Sequence, residues 1–173
     1  NDVVLNGKKL VGILTEMSAQ MNYIEYLVTG IGINANLREF PEELEDKATS
    51  LQKEIGHKVN RSALIAECME KIEENYEIFV KTQDLSGLMA AYQEALVNQD
   101  QQVRVLEPGH EYTGVARGIN AMGELLVEKE DGTITEVYAG EASVRGTDMY
   151  RRKDVRRSNR FMWCQCLRTE ILF

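Results

Sequence analysis

At Gln102 the spacing of apolar residues along this 173-residue chain changes from three or four to two. Before that point Leu64, Cys68, Ile72, Tyr76 and Phe79 recur at helical spacing across residues 61–80 and make one apolar stripe. After it, Val103/Val105 and residues 112–119, 125–128, 134–138 and 142–145 read as five short strands. Pro108-Gly109, residues 120–123 and Asp131-Gly132 separate them with turn-forming residues. Short strands at this spacing predict a small barrel. The change of period therefore divides the chain into a strand-and-helix part (1–98), a small β part (102–146) and a tail (147–173), an α+β arrangement.

The first part opens with strands over residues 2–5 and 9–17. Asn6-Gly7 between them is a hairpin signal, since both residues tolerate positive φ. Residues 22–33 read as a third strand, in which Tyr23, Glu25 and Leu27 alternate with Ile24, Tyr26 and Val28. Pro41, followed by Glu42 and Glu43, suits the first turn of a short helix. Residues 49–55 predict another short helix, stopped by Gly56. Residues 85–97 predict an amphipathic helix with Leu88, Tyr92 and Leu96 in register. Met17 and Met21 are expected to pack around the sheet, and Cys68 to sit in the core.

The net charge of −8 conceals a split. Residues 151–173 hold seven basic and two acidic side chains, while the first 150 hold 13 basic and 26 acidic ones. Such an acidic body repels nucleic acid. No apolar run approaches the ~20 residues of a membrane helix, and no secretory apolar segment follows the N-terminus. Cys68, Cys164 and Cys166 are odd in number and poorly spread for a disulfide framework, which points to a reducing cytoplasm.

Two segments carry chemistry. Lys9 runs directly into the apolar stretch from Leu10 to Leu14. It is either a surface lysine whose stem covers apolar surface, or an ammonium placed beside Gly12 to meet a carboxylate or phosphate. Gly30-Ile31-Gly32-Ile33-Asn34 is either a bulged strand end or a place where backbone approaches a ligand. Asn34 offers the donor and acceptor that can read an adenine edge. His57 and His110 lack ligand spacing and read as solvated, as do the acidic runs 42–46 and 70–77.

Together, N-D followed by K-L-V-G-I-L, then G-I-G-I-N-A-N, F-P-E-E-L and G-E-A-S-V-R-G, resemble the biotin protein ligase family in order and spacing from residue 1 to about 146. The resemblance implies a partial catalytic domain over 1–98, related to class II tRNA synthetases with their mixed sheet and helices. It implies a C-terminal barrel of Src-homology-3 type over 102–146. The implied reaction joins biotin and ATP, with Mg²⁺, to biotinyl-AMP and passes biotin to a lysine of a biotin carboxyl carrier protein. On this resemblance Lys9 is the catalytic lysine near the biotin carboxylate and adenylate phosphate. Gly12, Ile13 and Leu14 line the biotin pocket, and Asn1 and Asp2 make polar contacts, Asp2 through Mg²⁺ as one alternative. Gly30, Gly32 and Asn34 hold the adenine end. Phe40, Pro41 and Leu44 belong to the loop that folds over the adenylate. Glu141 and Arg145 face ATP or the acceptor.

Two departures from the family stand out. Asn1-Asp2 matches the end of a K-W-P-N-D motif, so the resemblance implies the C-terminal part of a longer chain, inactive by itself. The resemblance places the family's glycine- and arginine-rich biotin loop, and the N-terminal domain through which some members bind DNA, ahead of residue 1. The second departure is the basic tail, residues 147–173, read as a shifted frame or fused fragment, or alternatively as a nucleic-acid arm with Phe161 and Trp163 for stacking. A non-catalytic module that binds biotinyl-AMP or the carrier is the competing functional class. A homodimer stays open, and no membrane association is expected.

Overall fold

Asn6 and Gly7 adopt φ of 52° and 76° and turn β1 (Asp2–Leu5) antiparallel onto β2 (Lys8–Gln20). Both residues take the positive φ that such a hairpin requires. The structure is a computed structural model and describes residues 1–107, 110–137 and 143–146. Glu141 and the basic tail lie outside the described residues. β3 (Tyr23–Ile33) pairs antiparallel with β2 from Val11↔Ile33 to Gln20↔Tyr23, giving a sheet of order β1-β2-β3. Val4, Leu10 and Ile13 bury at its base, but most of β3 is exposed. Met17 is half exposed and Met21, in the turn, fully exposed. The expected packing of these two methionines around the sheet is therefore corrected, because they lie beyond the buried base of the hairpin.

Past β3 the chain runs through a single 3₁₀ turn at Glu42–Leu44, after Pro41, into α1 (Leu51–Ile55). The Ser50 hydroxyl caps α1 by accepting from the Lys53 N–H, and Gly56 ends it at φ 86°. The stop at Gly56 follows from glycine's freedom in the left-handed region. α2 (Arg61–Thr82) starts at Asn60, whose side chain accepts from the N–H groups of Ser62 and Ala63. Of its apolar stripe, Cys68 is buried, Leu64, Ile72 and Phe79 are half-buried, and Tyr76 is exposed.

The helix expected over residues 85–97 is shorter, with α3 limited to Met89–Ala95. Asp84 Oδ1 accepts the Ser86 N–H at 2.8 Å and Leu88 N–H bonds Leu85 O at 2.9 Å. This side-chain turn competes with helix for the same backbone groups and delays the first helical turn. Leu85 and Leu88 are nevertheless buried, packing with Ile119 against Phe79 and Tyr92. They join the helices to the second sheet.

That sheet is wholly antiparallel, in the order β7-β6-β5-β4-β8. Its strands are β4 (Gln102–Glu107), β5 (His110–Ile119), β6 (Leu125–Glu128), β7 (Ile134–Val137) and β8 (Ser143–Gly146). Period-two placement buries Val103, Val105, Ala116, Val127 and Val137 in one cluster, with Tyr112 and Leu125 packed on it. Among the described residues β7 and β8 are the two edges, and no pairing closes them into a barrel. Outside the cluster, Arg117 donates to Asp100 at 2.8 Å and Glu128 at 2.5 Å, which holds the Asp100 carboxyl below its ordinary range.

Gly114 lies where β5 passes close to the backbone of β6. A Cβ there would stand 2.5 Å from the Glu128 carbonyl oxygen and 2.6 Å from Val127 Cγ1. Backbone cannot yield as a flexible side chain can, so Gly114→Ala is expected to destabilise the protein by roughly 1–3 kcal/mol. The shift of the urea unfolding midpoint at unchanged slope measures it.

Candidate functional site

In a regular strand, Lys9 and Gly12 would point to opposite faces, because side chains alternate. They do not here. The β1–β2 register runs Asp2↔Gly12 and Val3↔Val11, then slips to Val4↔Lys9, which leaves Leu10 without a partner. This bulge re-aims the side chains beside it. The result is that Lys9 lies against Gly12, where an added Cβ would sit 3.2 Å from Lys9 Cε and 3.4 Å from Nζ. The ammonium donates to Asp2 Oδ1 at 2.5 Å, with both side chains part-exposed. Its neighbour Lys8 turns away, donating to the Glu45 carbonyl at 2.7 Å.

Cross-strand partners share a face of the sheet. The pairs Asp2↔Gly12, Gly12↔Gly32 and Leu14↔Gly30 therefore put Asp2, Gly12, Leu14, Gly30 and Gly32 on one side, with Lys9. Gly30 and Gly32 have neither positive φ nor a crowded neighbour: the closest atoms to a Cβ at either are carbonyl oxygens at 3.6 Å. No bulge falls at this end of β3 either, since the β2–β3 irregularity is at Ser18/Ala19. What the glycines create is a shelf of bare backbone with one ammonium and one carboxylate at its end. Ile13, between Gly12 and Leu14, faces the other way and is buried, whereas Leu14 is well exposed.

β3 ends at Ile33, and the chain beyond it folds back to take over the edge of β2. Asn34 N–H bonds the Leu10 carbonyl at 3.0 Å, and residues 47–49 then run along Lys9. Lys9 N–H donates to Lys47 O at 2.8 Å and Thr49 N–H to Lys9 O at 2.9 Å, forming a parallel bridge with Ala48. Asn34 Nδ2 donates to the Thr49 carbonyl at 3.1 Å. That bond uses one of its amide hydrogens and fixes the orientation of the rest. Asn1 contributes its carbonyl, which accepts from the Ile13 N–H at 2.9 Å.

Phe40, Pro41 and Leu44 lie in the loop between Asn34 and Thr49. Lys53 stands over the Phe40 ring at 5.4 Å, Pro41 O accepts from Leu44 N–H at 2.8 Å, and Pro41 and Leu44 are exposed. Arg145 is placed only as backbone, in β8 opposite Arg104, and Glu141 lies outside the described residues. Among the described residues no group of three His, Cys, Asp or Glu could hold a metal, and Asp2 is engaged by Lys9.

Several residues at the site escaped the sequence reading. Asn36, the second asparagine of G-I-G-I-N-A-N, pairs with Val59 backbone in both directions: Nδ2 donates to O at 3.0 Å and Oδ1 accepts from N at 2.9 Å. Thr49 and Ser50 are the most buried polar side chains of this region. The Ser50 hydroxyl donates to the Leu37 carbonyl, and Thr49 Oγ1 donates to Glu54 Oε1 at 2.6 Å. The repeated asparagine was the one available signal.

With this geometry in place, the chain can be compared with known proteins. A profile of the biotin protein ligase C terminal domain matches residues 100–145. The bifunctional ligase/repressor BirA of Bacillus subtilis is 34% identical over 143 residues, covering 82% of this chain and 43% of that protein. The apo structure of biotin protein ligase from Aquifex aeolicus matches with a TM-score of 0.74 at 32% identity, over 85% of this chain and 63% of that one. The Aquifex ligase in complex with biotin and ATP matches with a TM-score of 0.71 at 30% identity, over 85% and 60%. This chain thus spans less than half the length of the BirA relative and under two thirds of the Aquifex chain. The fold is that of a ligase catalytic region joined to a small β domain. The chain belongs to the biotin protein ligase family, homologous to its catalytic plus C-terminal domain region.

Asn36 ties together two points 23 residues apart in sequence. Asn36→Ala is expected to remove about 1–2 kcal/mol of local stability and to raise amide exchange in residues 37–58 roughly tenfold. Hydrogen exchange read by mass spectrometry checks this, with the second sheet as the unaffected internal control.

Proposed function

We propose that this chain carries the adenylate-holding part of a biotin protein ligase. The observation that supports it best is the glycine shelf: Lys9, turned by the bulge, stands at the end of the surface made by Gly12, Gly30 and Gly32. In the reaction so proposed, a biotin carboxylate oxygen attacks the α-phosphorus of ATP and pyrophosphate leaves. A carrier lysine amine then attacks the acyl carbonyl, its proton is lost, and AMP leaves. Lys9 neutralises the carboxylate and phosphate as they approach and stabilises charge at the acyl centre. Its resident partner Asp2 yields to the substrate anion, and is the carboxylate that would hold Mg²⁺, whose charge would offset that of the phosphates. Gly12, Gly30 and Gly32 let the ligand lie against backbone, Leu14 adds apolar contact, and Asn34 reads adenine. Ile13 contributes by filling the core beneath the shelf.

In this reading residues 1–98 are part of the catalytic domain and 102–146 the C-terminal barrel, with Arg145 and Glu141 facing ATP or the acceptor. Phe40, Pro41 and Leu44 fold over the adenylate. The acceptor is a biotin carboxyl carrier protein in the cytoplasm. The competing reading is a non-catalytic module that holds biotinyl-AMP or the carrier.

Three measurements test these readings. The chain is given biotin, ATP, Mg²⁺ and a carrier domain, and biotin-dependent pyrophosphate release and transfer are followed. Binding of preformed biotinyl-AMP is measured in parallel. Binding without turnover selects the module; neither binding nor turnover removes both readings. Lys9→Ala is expected to cost roughly 10²–10³-fold in transfer rate if turnover occurs, and near-normal transfer would strip Lys9 of its role. Gly12→Ala is expected to displace the ammonium and weaken biotinyl-AMP binding while leaving the unfolding midpoint unchanged, because the contact falls on a flexible lysine end.

A further inference from the structure

Thr49 touches both candidate ends of the ligand site through its own peptide groups. Its N–H donates to the Lys9 carbonyl at 2.9 Å, and its carbonyl accepts from Asn34 Nδ2 at 3.1 Å. One residue therefore connects the lysine assigned to the acyl phosphate and the asparagine assigned to adenine. Thr49 is itself held on every side. It is 1% exposed, and its hydroxyl donates to Glu54 Oε1 at 2.6 Å. The other Glu54 oxygen accepts from Asn6 Nδ2, in the β1–β2 turn next to Lys8 and Lys9. The preceding Ala48 bridges to Lys9, and the following Ser50 is fully buried and bonded to Leu37 O.

We propose that Thr49, anchored by Glu54, is a positioning residue that sets the spacing between Lys9 and Asn34 to the length of an acyl-adenylate. The inference rests on the ligand roles given to those two residues above. A carboxylate at Glu54 gives the Thr49 hydroxyl a charged acceptor, and hydrogen bonds to charged groups are the stronger kind. Loss of that anchor lets the 47–49 segment shift against β2. Each half of the ligand would still find its own contact. A ligand that must reach both at once would not, because joining two contacts pays only when their separation matches.

The test separates joined from divided ligand. Wild-type chain, Thr49→Val, Thr49→Ser and Glu54→Ala are titrated calorimetrically with biotinyl-AMP, with AMP and with biotin. Thr49→Val keeps the buried volume and removes the hydroxyl, and Thr49→Ser restores it. Glu54 is exposed, so its alanine variant removes the anchor without opening the core. The expected result is a loss of fivefold or more for biotinyl-AMP in Thr49→Val and Glu54→Ala. AMP and biotin should change less than twofold, and Thr49→Ser should bind biotinyl-AMP within twofold of wild type. Unchanged biotinyl-AMP binding in both anchor variants overturns the positioning role, as does an equal loss for the separate halves, which marks general loosening. A wild-type chain that binds none of the three ligands removes the ligand reading itself and this inference with it.

Discussion

The backbone of Lys9 is flanked on both edges of its strand and hydrogen-bonded on one of them, and the arrangement of the first half of the chain depends on it. On one edge β1 pairs with it through Val4. On the other, residues 47–49 replace β3 where β3 stops. Those residues bring with them a buried run, from Ala48 to Gln52, that is the densest part of this region. Gln52, with its amide in the orientation its neighbours select, donates to Asn36 O at 3.0 Å and accepts from Arg38 Nε at 2.8 Å. So the loop, the short helix and the strand mouth are held by one hydrogen-bonded junction rather than by a large apolar core. In such a junction each buried polar group must keep its partner, since an orphaned one costs about 1–3 kcal/mol.

The second sheet is built on the opposite plan. Val103, Val105 and Val127 are fully buried, and its charged pairs, Arg117 with Asp100 and Glu128 and Arg104 with Glu111, stand on the outside. Exposed pairs of this kind contribute little to stability. Its stability comes from alternation, and its shape from close backbone approach at Gly114. The two halves meet through Leu85, Leu88 and Ile119, an apolar contact placed by the turn that shortens α3.

How much of this was legible depends on where the signal resides. The Asn6-Gly7 hairpin, the stop at Gly56 and the strands after Gln102 were all readable, because each is encoded by residue type at a fixed offset. The bulge at Leu10 was not. A slip of one residue has no compositional mark, yet it decides which face Lys9 joins. Thr49 was equally hidden, since its two contacts to Lys9 and Asn34 are made by peptide groups that every residue possesses. The shortened helix was partly visible in Asp84 and Gly87, which suit a turn better than a helix start. For β3, alternation gave no inward face to choose, as Tyr23, Ile24, Tyr26, Leu27 and Val28 put apolar groups on both sides. In the structure Ile24 is half-buried and the other four are exposed, in keeping with that indecision.

The long hairpin has a mechanical side. Its buried residues end at Ile13, while β2 continues to Gln20, ~20 Å further at the usual rise per residue. An arm clamped at one end turns a small rotation at its root into a large excursion at its tip. The root here is the stretch that carries Lys9, Gly12 and Gly32.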